Sequence, residues 1–136
     1  MPYWVSTEAG RHLRGRHSRD TVPEVTLRRA LHAEGFRFRL HRSLGKGCNP
    51  DLVLPRYRTA VWVDGCFWHG HGHQGLPTAG PNADLWKQKI RANQERDARA
   101  VELAEALGWK AIRVWECQIQ KHIEEVVAQI RVMTQA

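Results

Sequence analysis

The chain has 136 residues, 42% hydrophobic and 26% charged, which is room for one domain with one core and the balance of an ordinary soluble protein. Lys and Arg number 21 against 14 Asp and Glu, giving a net charge of +7 that favours polyanionic partners, since each neutralised phosphate releases a condensed counterion. Three cysteines exclude a disulfide framework, and no apolar run approaches the roughly 20 residues of a membrane helix; Met1-Pro2-Tyr3-Trp4 soon turns polar and basic, so a soluble intracellular protein is expected.

In chain order, residues 6–16 read as a short basic helix begun by Ser6 or Thr7. Arg11, Arg14, Arg16, Arg19, Arg28, Arg29, Arg37, Arg39 and Arg42 crowd the N-terminal third, and their planar forks suit phosphates. Ser18-Arg-Asp-Thr21 offers cap chemistry, Pro23 fits a first helical turn, and Val25, Leu27 and Leu31 form a helical stripe up to a stop at Gly35. Phe36 to Leu40 alternates with period two and reads as a half-exposed strand. After the loop Leu44–Pro50, Asp51–Leu54 and Thr59–Val63 suit a buried hairpin turned by Pro55–Arg58. Residues 66–82 hold Gly, His and Pro and read as irregular. A long helix is expected from Asn82 or Asp84 to Leu107, with Trp86, Ile90, Val101 and Leu103 at near-helical spacing and Gly108 as its stop. Trp109–Trp115 reads as a strand and Ile119–Val132 as one amphipathic helix. This order predicts an α/β domain, a sheet flanked by helices.

Eight histidines, several near a cysteine, point to metal. Cys66, His71 and His73 share one loop with C-x₄-H-x-H spacing, and Cys117 follows the last predicted strand; four such donors complete a structural zinc tetrahedron and supply ordering energy to a small core. The same residues also read as small buried thiols and solvated loop histidines. Cys48 is left over as a packed or exposed free thiol.

Asp51 opens one strand of the predicted hairpin, Asp64 ends the other, and Glu24 opens the first main helix. Carboxylates at a sheet edge in a basic protein are a usual way to hold Mg²⁺ against a phosphodiester, although strand-end and cap acids look the same one at a time. Phe67 and Trp68 lie in a glycine-rich loop, where they serve either as wedges between base pairs or as packing over the metal loop.

Residues 18–117 resemble the very-short-patch-repair (Vsr) endonuclease family. The likeness is carried by Ser18-Arg-Asp-Thr21, Glu24, Pro50-Asp51, Gly65-Cys-Phe-Trp-His-Gly70, Trp86, Lys89-Ile90, Asn93, Arg96-Asp97, Gly108-Trp109 and Val114-Trp-Glu-Cys117. The resemblance implies a restriction-endonuclease-like core with a central mixed sheet and a structural zinc site, formed by residues 18–136 behind a DNA-contacting arm at 1–17. It implies a Mg²⁺-dependent nick 5′ to the thymine of a T·G mismatch, left by deamination of 5-methylcytosine. Asp51 would bind Mg²⁺ with help from the Val63 carbonyl, His69 would belong to the catalytic set, and Glu24 would support it through water. Zinc would take Cys66, His71, His73 and Cys117. Phe67 and Trp68 would intercalate beside the mismatch, Leu13 would enter from the opposite groove, and Lys89 and Asn93 would read the mismatched bases, while Arg14 and Arg19 grip the backbone. A monomer in the bacterial cytoplasm at the nucleoid, working beside mismatch-repair proteins, completes the expectation.

Two positions depart from the family. Asp64 replaces a histidine of the best-studied members, which points to a second Mg²⁺ ligand, and Gly-Cys-Asn-Pro precedes Asp51 in place of the usual Gly-Arg-Pro. No Lys stands two residues beyond Asp64, so His69 is the expected proton-transfer residue, its ordinary pKa near 6.5 suiting the task. The rival readings are a zinc-stabilised DNA-binding module without catalysis, and a nuclease of this type with another target, such as modified or invading DNA.

Overall fold

The computed structural model describes residues 20–66 and 82–135. The predicted basic helix at 6–16, and Leu13, Arg14, Arg19, Phe67, Trp68, His69, His71 and His73, lie outside the described residues. Helix α1 (Val22–Ala33) begins as its sequence dictates: Thr21 caps it, the Thr21 hydroxyl accepts from the Glu24 amide, and Glu24 Oε2 accepts in return from the Thr21 amide at 2.9 Å. Pro23 occupies the first turn, where its missing N–H leaves no hydrogen bond unmade. Leu27 and Leu31, one turn apart, are fully buried, and Gly35 at φ +93° turns the chain off the helix.

Four strands follow in the spatial order β1 (Arg39–Leu40), β2 (Leu52–Leu54), β3 (Thr59–Asp64) and β4 (Lys110–Trp115). β1, β2 and β3 pair antiparallel, while β3 and β4 run parallel, as the intervening crossover through α2 (Ala83–Ala106) requires. The sheet is therefore mixed, as expected. The strand expected over Phe36–Leu40 shrinks to its last two residues. Arg39 pairs with Val53 and Leu40 with Leu52, so continuing backwards would bring Arg37 opposite Pro55, which has no amide to give. Phe36 instead packs edge-on to Tyr57, ring centroids 6.0 Å apart.

Period-two alternation divides the core between the two faces of the sheet. Leu52, Leu54, Val61, Ile112 and Val114 meet α1 and the C-terminal helices through Leu27, Leu31, Ile119, Val126, Val127 and Ile130. Val53, Ala60 and Trp62 meet α2 through Ala100 and Ala104. These alanines, with Trp86 and Ile90, form the buried stripe of α2, whereas Val101 is half-buried and Leu103 exposed. Small side chains let the helix close on the sheet, and the Cys48 thiol packs in the same layer, its S–H donating to the Ala100 carbonyl at 3.4 Å. Arg58 ties the hairpin turn to the crossover by donating to the Leu107 and Gly108 carbonyls.

The single C-terminal helix expected at 119–132 is two, α3 (Glu116–Lys121) and α4 (Ile123–Gln135). The chain leaves helical geometry at His122 (φ −140°, ψ 46°), which lets Ile119 and the Val126/Val127/Ile130 stripe reach the same core from two directions. Among the described residues no helix is long and apolar enough to cross a membrane.

Leu31→Ala should lower the unfolding free energy by about 2–5 kcal/mol, as truncation of a sealed core leucine does. Val132→Ala, at a position 68% exposed on the outer face of α4, should change it by no more than about 0.5 kcal/mol. Urea titration of the two variants checks the assignment of that face.

Candidate active site

The antiparallel hairpin brings the beginning of β2 beside the end of β3. There the Val63 amide donates to Asp51 Oδ2 at 2.6 Å, and the Asp51 amide donates to the Val61 carbonyl at 3.0 Å. On the other side, the His41 amide donates to the Asp51 carbonyl at 3.0 Å. Asp51 is thus fixed by backbone groups from both neighbours, and its carboxylate lies against the Val63 backbone.

The N-terminus of α1 faces this acid. Glu24 is only 4% exposed; the oxygen that caps Thr21 also accepts from the Thr21 hydroxyl at 2.9 Å, while Oε1 is buried with no N–H or hydroxyl donor, only a proton on Asp51 being able to bridge the two acids. One ligand atom each from Glu24, His41 and Asp51 lie within 4.8 Å of one another. Burial pushes the Asp51 carboxyl up, against the lowering effect of the Val63 amide, and the charge and hydrogen bond of Glu24 and the charge of Asp64 add to the rise, to about 7. Two carboxylates with an unsatisfied buried oxygen between them are the donor set a divalent cation fits, and oxygen donors of this kind suit Mg²⁺.

Asp64, expected as a second Mg²⁺ ligand, is engaged in an ion pair. Its side chain is 7% exposed and accepts from Arg113 through both oxygens, Nε and Nη2 each at 2.8 Å. The same guanidinium reaches Asp97 Oδ1 at 3.0 Å and lies 5.0 Å over the Trp62 ring. The carboxylate is therefore the anion of a bidentate pair, fixed on the α2 side of the sheet.

Beyond Asp64 the chain enters the cysteine region. Cys66 is fully buried, its amide donates to Glu116 Oε1 at 3.2 Å, and burial, against the lowering effect of the Cys117 amide and with the adjoining Cys117 thiol adding to the rise, pushes the Cys66 thiol up to about 11. The fold thus brings together the two cysteines expected to bind zinc. On α2, Lys89 is exposed and Asn93 half-buried, one turn apart.

Two residues escaped the reading of the sequence. His41 has no spacing signal, and its left-handed backbone (φ +50°), worth about 1–2 kcal/mol of strain, is dictated by tertiary structure. Arg113 had a weak signal: a cation alternating with Ile112 and Val114 in a strand covered on both faces needs a buried anion.

A mixed sheet flanked by helices gathers the acids where the hairpin opens, and the family and relatives of the chain make its class that of a DNA endonuclease. The fold is that of the homing endonuclease I-Bth0305I catalytic domain, with a TM-score of 0.54 at 18% identity over 84% of this chain and 94% of that one. Residues 6–74 match the family model described as DNA mismatch endonuclease Vsr. Relatives include the type II nicking enzyme V.NmeAIP of Neisseria meningitidis serogroup A, 42% identical over 106 residues (76% of this chain, 74% of that protein). The type II nicking enzyme V.XorIIP of Xanthomonas oryzae pv. oryzae is 41% identical over 116 residues (85% of each). The DNA mismatch endonuclease Vsr of Escherichia coli K12 is 34% identical over 110 residues (81% of this chain, 70% of that protein). The chain belongs to the Vsr endonuclease family.

The raised Asp51 pKa has a consequence for stability. The folded, metal-free protein holds a proton that the unfolded chain releases near 3.8, so its contribution is full below that value and is lost as pH rises through about 7. In chelator at pH 8, Asp51→Asn should be more stable than the parent by on the order of 1–3 kcal/mol, with the gap closing towards pH 4. Denaturant midpoints at the two pH values test this, and equal destabilisation at both would contradict it.

Proposed function

We propose that this chain is a Mg²⁺-dependent endonuclease that nicks one strand of duplex DNA 5′ to the thymine of a T·G mismatch. The observation that carries the reading is the Asp51–Glu24 pair with its buried, unpartnered oxygen, in a chain of the Vsr family. Asp51 and the Val63 carbonyl hold the cation, and Glu24 orients water beside it. Mg²⁺ bound there neutralises charge developing on the scissile phosphate. Asp64, held by Arg113, adds negative field at Asp51 in place of another oxygen ligand. His69 moves the proton of the attacking water or of the leaving oxygen.

Recognition follows from charge and deformability. Arg14, Arg19 and neighbouring arginines grip phosphates, which accounts for the net charge of +7. Leu13 from one groove and Phe67 with Trp68 from the other pry the duplex open, and a mispaired step unstacks at lower cost than a paired one. Lys89 and Asn93, on adjacent turns of α2, read the exposed bases. Zinc on Cys66, His71, His73 and Cys117 staples the wedge loop to the sheet, a role supported by the adjoining thiols of Cys66 and Cys117. The protein acts as a monomer in the bacterial cytoplasm, at the nucleoid and alongside mismatch-repair proteins.

A second reading keeps the nuclease and changes its target. Relatives named type II nicking enzymes favour it, since target choice depends on a few base contacts that the shared fold leaves open. A non-catalytic DNA-binding module gains no comparable support, because the family and the relatives of this chain are endonucleases and nicking enzymes.

End-labelled duplexes, one with a T·G mismatch and one fully paired, incubated with Mg²⁺ or EDTA, separate these readings. We expect a Mg²⁺-dependent cut in the thymine strand of the mismatched duplex alone; cutting of both duplexes would replace the mismatch reading with the second one. Asp51→Asn should lower the cutting rate by roughly 10³ or more while leaving DNA affinity within a few-fold. Trp68→Ala should erode the preference for mismatched over paired duplex, and an unchanged ratio would remove Trp68 from the wedge.

A further inference from the structure

We propose that His41 joins Asp51 and the Val63 carbonyl as a third direct ligand of the cation site, with Glu24 facing the same ion through water, and that its imidazole shifts metal preference from Mg²⁺ towards Mn²⁺. The inference rests on the reading of Asp51 as the cation site and adds a residue that the sequence did not single out.

Three observations converge on it. The three side chains come from the start of α1, the loop after β1 and the start of β2, yet their ligand atoms lie within 4.8 Å of one another. Ligand atoms about 2.1–2.5 Å from a shared ion are at most about 5 Å apart, so this spread admits one ion between them. Second, Glu24 Oε1 is buried without an N–H or hydroxyl donor, and the amide and hydroxyl of Thr21 already occupy its other oxygen. An acceptor in that condition calls for a cation or a donor.

Third, His41 is one of the three described non-glycine residues at positive φ, and its amide is bonded to the carbonyl of Asp51 itself. The strained backbone is thus held by the residue with which His41 shares the site, as is expected where strain aims a functional side chain. Around the ring, Arg28 Nη2 lies 3.5 Å from His41 Nε2, and Asp20 Oδ1, which Arg28 holds at 2.6 Å, lies 3.9 Å from it, so the charge of Arg28 is balanced by Asp20 beside the imidazole. Val63, which gives its amide to Asp51, completes the surroundings from the β3 side.

The chemistry of the set decides the metal. Mg²⁺ prefers oxygen donors and gives up its waters reluctantly, whereas affinity for a site with a nitrogen donor rises along the first transition row. A site with an imidazole among its oxygen ligands should therefore bind Mn²⁺ more tightly than Mg²⁺, and should lose that preference with the ring.

Mn²⁺ alone, added to the full-length protein prepared with chelator, provides the probe, read by the resonance of free Mn²⁺ and by nitrogen modulation of the bound ion's spin echo. We expect nitrogen coupling in the parent protein, and its change of isotope pattern when the histidines carry ¹⁵N. His41→Asn, chosen because asparagine tolerates the left-handed backbone, should abolish the coupling and weaken Mn²⁺ binding about tenfold or more, with a smaller loss for Mg²⁺. His69→Ala should keep the coupling. Nitrogen coupling absent from the parent, persisting in His41→Asn, or lost in His69→Ala would overturn the assignment of His41. Undiminished Mn²⁺ binding in Asp51→Asn would instead overturn the underlying reading of the cation site.

Discussion

A carboxylate drawn out of water beside another anion needs a fixed donor, and the Val63 amide, 2.6 Å from Asp51, is that donor. The bond works because both ends belong to the paired hairpin: with Leu52 opposite Val61 and Leu54 opposite Thr59, the residue before β2 falls beside the end of β3. A shift of the register by one residue would turn every core side chain of β2 to the wrong face and carry Asp51 away from Val63. Packing of Leu52, Leu54 and Val61 under α1 therefore sets the geometry of the acid, and the same packing presents Glu24 to it. Core and site are not separable here.

β3 carries the rest. It pairs with β2 on one edge and, over six residues in register, with β4 on the other, which makes it the most constrained strand of the sheet. Along its length the chain places Val63, Asp64 and then Cys66 in succession, and β4 brings Arg113 and the segment leading to Cys117 alongside. The acid site follows from the antiparallel pairing of β3 with β2, and the Asp64–Arg113 and thiol pairs from its parallel pairing with β4. The crossover that permits this pairing is α2, closed onto the sheet by Ala100 and Ala104 and tied at its far end by Arg58.

Much of this was legible because it rests on local chemistry. The cap chemistry ending at Thr21, the hairpin around Pro55–Arg58, the long helix and its stop at Gly108 follow from side-chain periodicity and backbone preference. The misreadings have a common cause in partners remote in sequence. Phe36–Phe38 have strand-like alternation, but β2 is too short to pair with them. Leu103 has helical spacing, but the sheet meets the alanine face. The helix break at His122 answers to two packing directions that no local pattern encodes. At the site, Asp51 and Glu24 were visible as acids at element boundaries, whereas His41 became visible only once β1 had placed it beside Asp51.

Asp64 shows how charge has been balanced around these acids. In place of the histidine of the best-studied family members, this chain has a carboxylate close enough to raise the pKa of Asp51. Left alone, it would add a third buried negative charge beside Glu24 and Asp51, and desolvated like charges at such range oppose ionisation strongly. Arg113 prevents that by engaging both Asp64 oxygens and sharing its fork with Asp97, and stacking over Trp62 holds the guanidinium on the α2 face. The pair is bidentate and mostly shielded from solvent, so separating it would leave one charge buried without a counterion, the arrangement proteins tolerate least. The negative field at Asp51 is thereby reduced without being removed. The Glu24–Asp51 pair lies on the α1 side, away from Arg113, and this asymmetry of charge across the sheet favours the proposed cation site there.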